Sequence, residues 1–148
     1  MKRKQHLAVL TLAAGLVSCT SVADRQVVNI PLVASQHNAG QIGQATLAAD
    51  GEETSMSIFI SGVPSETTRP VHIYSYIYAG TCATRQSTDP AFEMNQRVLT
   101  EKDNSKRGWT LSRRANVPLS TLRSGDYSIV LRTGPADGNR EIFCGEIG

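Results

Sequence analysis

Val71-His72-Ile73-Tyr74-Ser75-Tyr76-Ile77-Tyr78 is the stretch on which the reading of the fold turns. It is filled with β-branched and aromatic residues, whose side chains suit a pleated, half-buried surface. Successive side chains of a strand point to opposite faces. Tyr74, Tyr76 and Tyr78 therefore share one face, and Ile73 and Ile77 share the other. The same period of two runs through Ser55–Ser61 (SMSIFIS). Val27–Val33, Gln41–Ala49, Trp109–Val117, Tyr127–Arg132 and Arg140–Ile147 are further strand candidates. Turn material separates them: 35–40 (SQHNAG), Asp50-Gly51, Ser124-Gly125-Asp126 and 134–139 (GPADGN). Leu119–Leu122 reads as a short turn. Residues 79–106 read as a long polar loop with Pro90 inside it and a short extended piece near Val98-Leu99. No stretch sustains a helical period. Short strands at this spacing predict an all-β domain over 27–148, an antiparallel Greek-key sandwich or barrel.

The N-terminus has a different character. Lys2, Arg3 and Lys4 precede an apolar run from Leu7 to Val17. A basic start followed by a short apolar run is the pattern of a helical secretory signal peptide. The run is shorter than the roughly 20 residues that span a bilayer. It ends Leu16-Val17-Ser18-Cys19, which resembles the bacterial lipobox: an aliphatic residue and small residues before a cysteine. That resemblance implies removal of 1–18, a diacylglycerol on the Cys19 thiol, and a lipidated tether over 19–26. The alternative is an ordinary signal peptide cut after Ala23. Thr20 stands where an aspartate tends to retain enteric lipoproteins in the inner membrane. The resemblance therefore implies an outer-membrane anchor facing the periplasm.

Charge and cysteine usage bound the rest. Three of the 15 Lys and Arg residues lie in 1–18. The 12 that remain stand against 13 acidic residues, a net charge of −1. Near-neutrality gives no electrostatic case for a nucleic-acid partner. With Cys19 used for lipid, Cys82 and Cys144 form an even pair in an oxidising compartment and are expected to be disulfide-bonded. A metal or redox pair is the alternative.

Phe143-Cys144-Gly145-Glu146-Ile147-Gly148 resembles the closing strand of copper/zinc superoxide dismutases. The segment Leu122–Val130 is similar to domains related to that fold, in which a Leu-x-x-Gly-x-Tyr turn precedes a core strand. In that family the C-terminal cysteine bonds to one in the loop after the first histidine strand. Cys82, after His72 and Ala79-Gly80-Thr81, stands in the matching place. The resemblance implies a superoxide dismutase-like, immunoglobulin-like sandwich. Its chemistry does not carry over. The mature chain holds only His37 and His72, too few imidazoles for a copper–zinc pair.

No Gly-x-Ser-x-Gly elbow marks a nucleophile. The expectation is a non-enzymatic lipoprotein of the cell envelope, without cofactor or resident metal, anchored to membrane by its lipid. It would bind a protein of the envelope, or act as an inhibitor or immunity protein. Tyr74, Tyr76 and Tyr78 are the candidate binding surface, unless that face packs under the long loop. The alternative is a periplasmic copper-handling lipoprotein using His72. Arg97, Lys102, Lys106, Arg107, Arg113 and Arg114 form a basic cluster, read as a solvated loop. Trp109 is expected in the core.

Overall fold

In the computed structural model, residues 26–95, 101–103 and 108–148 are described, the backbone alone at 101–103. The signal segment, Cys19, most of the tether and Val98-Leu99 lie outside them. Among the described residues there are nine strands. They are β1 (Val27–Ala34), β2 (Gly43–Asp50), β3 (Glu53–Ile60), β4 (Ile73–Ala79), β5 (Phe92–Glu93), β6 (Glu101–Asp103), β7 (Gly108–Ala115), β8 (Tyr127–Thr133) and β9 (Glu141–Glu146). They run in the spatial order β5-β4-β8-β9-β1-β2-β3-β7-β6, and each neighbouring pair is antiparallel.

β1 joins two sheets. Val27–Leu32 pair with β2, whereas Val33 and Ala34 pair with Cys144 and Phe143 of β9. Gly145 permits the close approach at this seam: a Cβ there would lie 2.7 Å from Leu32 Cδ2 and 2.7 Å from the Pro31 oxygen. The connections β3→β4 and β7→β8 cross between the sheets, which gives the Greek key. The fold is the all-β antiparallel sandwich that strand spacing predicts, closed far enough to resemble a barrel.

Alternation fixes what lies inside. Ile58 and Ile60 of β3, Ile73 and Ile77 of β4, Leu111 of β7, Ile129 and Leu131 of β8 and Phe143 of β9 are fully buried in one shared core. Trp109 belongs to this core, with the Arg69 guanidinium 5.8 Å from its ring centroid. Burying a large apolar side chain is worth about 1.5–3 kcal/mol, so these inward rows hold the sheets together.

Three expectations need correction. The described part of 79–106 contains two short strands, β5 and β6, which extend the outer edges of the sandwich. Leu119–Ser124 is a short helix, α1, which buries Leu119 and Leu122. It has too few residues for a 3.6-residue period to show in the sequence. Arg113 does not belong to a solvated basic loop. It lies on the inward face of β7 between Leu111 and Ala115 and is only 7% exposed.

Candidate functional site

The outward face of β4, β8 and β9 is covered in part by the loop that follows β4. Gly80 starts this loop with φ +96°, a left-handed conformation that glycine adopts without strain. Its amide donates to the Asp126 carbonyl at 2.7 Å. The chain then turns tightly: the Thr81 amide donates to the Thr84 carbonyl at 3.0 Å, and the Gln86 amide to the Ala79 carbonyl at 2.9 Å. Cys82 at the loop tip is disulfide-bonded to Cys144 of β9. The Cys82 amide also donates to Glu146 Oε1 at 2.9 Å. The expected pairing is therefore present, and it pins the loop to the sheet.

Beneath the disulfide lies a small second cluster of Tyr78, Val130 and Cys144, with Tyr76 and Cys82 packed against it. Strand register explains the grouping. Tyr76 stands opposite Val130, and Val130 opposite Cys144, so all three point outward from neighbouring strands. β8 is thus covered on both faces.

The three tyrosines do share one face, but they are not equivalent. Tyr74 and Tyr76 are half-buried, whereas Tyr78 is buried. The rings of Tyr76 and Tyr78 are 6.2 Å apart and tilted by 51°. The face is therefore both a partial core under the loop and a partly open aromatic surface. Burial, and next the Glu93 carboxylate opposite Tyr76, push the Tyr76 phenol above its usual pKa.

Two arginines complete the site, and neither stands out in the sequence. Arg85 of the pinned loop places its guanidinium 5.0 Å from the Tyr78 ring centroid, and Arg132 of β8 places its own at 5.9 Å. Both contact the same carboxylate oxygen. Arg85 Nη2 donates to Glu141 Oε2 at 2.5 Å, and Arg132 Nη2 lies 3.9 Å from it. Arg132 Nη1 also donates to the Asn139 carbonyl at 3.2 Å. The two arginine side chains are 23% and 21% exposed. Guanidinium over a phenol face is a favourable cation–π arrangement. A cavity of about 460 Å³ opens here, lined by Tyr78, Arg85, Gln86, Ser87, Thr88 and Arg132. Strand register carries one usable signal: Arg132 stands opposite both Tyr74 and Glu141. Arg85 has none, because the disulfide loop brings it in.

His72 lies apart, just before β4. It is half-buried beside a shallow cavity that Pro70, Tyr74 and Asp137 also line. Asp137 there accepts from the Thr68 amide at 2.9 Å and from the Thr68 hydroxyl at 2.6 Å, and these bonds lower its pKa. His37 is exposed in a 3-10 turn. Among the described residues no group of three or more His, Cys, Asp or Glu side chains is placed to hold a metal ion. No helix among them is long and apolar enough to cross a membrane.

No protein-family model, no curated protein and no solved structure matches the chain.

Proposed function

We propose that this chain is a non-enzymatic lipoprotein of the cell envelope that binds a protein partner through the outward face of β4 and β8. The observation that carries the binding role is the aromatic and cationic composition of that face. Tyr74 and Tyr76 lie beside an arginine pair held over Tyr78, and tyrosine and arginine are the residue types that concentrate binding energy at interfaces. These side chains are held by strands and a disulfide-pinned loop, so little rotamer entropy is lost on docking.

The N-terminal sequence supports the anchor. The basic start, the apolar run and the Ser18-Cys19 junction match the lipobox pattern. Stable anchoring takes more than one acyl chain, at about 0.8 kcal/mol per buried methylene. The C-terminal motif Phe143–Gly148 supports a superoxide dismutase-like sandwich whose histidine ligands are missing.

Two measurements test the proposal. In cells fed labelled palmitate, the chain should carry label and sediment with outer membrane, and Cys19→Ser should lose both. A photo-reactive residue at Tyr74 should give a discrete cross-linked adduct, whereas one at Thr46 on the outside of the other sheet should give none. Equal patterns at the two positions would remove the case for this face.

A further inference from the structure

The arginine pair over Tyr78 carries one more step, which rests on the binding role proposed above. Two guanidinium groups, each about four-fifths buried, share a single carboxylate, Glu141, and meet on one of its oxygens. On that oxygen two cations therefore stand against one carboxylate. The Nε atoms of both Arg85 and Arg132 are buried and have no hydrogen-bond partner. A partly desolvated pair of guanidinium groups with one carboxylate between them favours an anionic oxygen ligand, which guanidinium meets with paired N–H···O bonds. Ser87 and Thr88 bring hydroxyls and Gln86 an amide to the same cavity.

The surroundings narrow the choice of anion. Glu93 stands opposite Tyr76 at one side, and Glu146 lies beside the disulfide at the other. A broad anionic surface such as a phospholipid bilayer would press against these carboxylates. One carboxylate entering the depression would avoid them. Glu141 already displays the mode of recognition from within the chain.

We infer that the Tyr78–Arg85–Arg132 cavity receives a carboxylate side chain from an acidic segment of the protein partner. Glu141 holds the two arginines in place and competes with that carboxylate.

The test is a titration of the purified full chain with a hexaglutamate peptide, read by the NMR shifts of the arginine Nε–H groups. The expected result is saturable binding that weakens at least about tenfold in Arg132→Gln. Glu141→Gln removes the internal competitor and should tighten binding about threefold or more, a gain that misfolding cannot produce. No saturable binding in either the wild type or Glu141→Gln overturns the inference. So does binding of inorganic phosphate, or of phosphatidylglycerol vesicles, as tight as that of the peptide. If Tyr74 cross-links to a partner while hexaglutamate is ignored, this inference fails and the binding role stands. If hexaglutamate binds but Tyr74 gives no adduct, the binding role fails and the carboxylate site stands.

Discussion

Arg113 Nη2 donates to the Ile73 carbonyl at 3.0 Å, joining β7 to β4, two strands that no backbone ladder connects. Its Nε donates to Ser75 Oγ at 3.1 Å, and Nη1 donates to the Ser112 carbonyl at 3.0 Å. The Ser75 amide on the same edge donates to Asn95 Oδ1 at 2.8 Å. Side chains thus satisfy the open edge of β4 where the sandwich fails to close by main-chain pairing. All three partners of Arg113 are uncharged, and burial pulls its pKa down from the usual arginine value. The clip is made of hydrogen bonds rather than an ion pair.

Arg113→Ala should therefore destabilise the domain by about 2–4 kcal/mol. It strips the Ile73 carbonyl and the Ser75 hydroxyl of their donor and leaves a cavity. Arg113→Met should cost less, because a flexible apolar chain fills the space and no charge needs desolvating. Urea denaturation checks both. A midpoint for Arg113→Ala equal to that of the wild type would mean that the clip contributes nothing.

The disulfide should matter to stability as well as to the site. Cys82 and Cys144 are 62 residues apart. In the chain-entropy account, a loop of that size stabilises the fold by about 4 kcal/mol, through restriction of the unfolded chain. A Cys82→Ser/Cys144→Ser variant should melt well below the wild type and lose all sensitivity to dithiothreitol. Tyr78 fluorescence should become more quenchable in it, since the loop over that ring is no longer pinned. Unchanged melting after full reduction would contradict this account.

Gly145 should not accept even the smallest side chain without loss of stability. A Cβ there would sit 2.7 Å from both Leu32 Cδ2 and the Pro31 oxygen, far inside van der Waals contact, and the oxygen belongs to backbone. Gly145→Ala should cost about 1–3 kcal/mol, as overpacking does. At Gly51 a Cβ would meet nothing within 4 Å. Its φ of +63° suits asparagine, so Gly51→Asn should change the melting temperature little. Thermal melts of the two variants side by side make the comparison.

Much of the fold is legible in the sequence because alternation is a local signal. β4 and β3 can be placed from Ile73, Ile77, Ile58 and Ile60 alone. Arg113 shows where such reading stops. Its position on the inward row Leu111-x-Arg113-x-Ala115 is visible, yet its charge groups it with the basic residues before it. Only the facing Ser75, inward between Ile73 and Ile77, reveals that the two polar residues match. β5 has two residues and β6 has three, too few for any period to register. At the site, the tyrosine stripe and the cysteine pair are readable. Arg85 is not, since its place depends on a loop fold that brings it to Glu141, 56 residues away.

Tyr76 offers a titration that reports on the face itself. Burial, then the Glu93 carboxylate, raise its pKa in the folded state, while the unfolded phenol titrates near 10. The folded state holds the proton longer, so the contribution of this group to stability is full below pH 10. It is lost progressively as pH rises from 10 through the raised value. Tyr76 should therefore ionise late in an absorbance titration at 295 nm. Tyr76→Phe should abolish that late step and flatten the decline of stability above pH 10. Glu93→Gln should move the step only part of the way back, because burial is the larger cause. A late step that survives in Tyr76→Phe would assign it to another ring and would mean that the Tyr76 hydroxyl is more open to water than its packing beside Tyr78 and Cys82 implies.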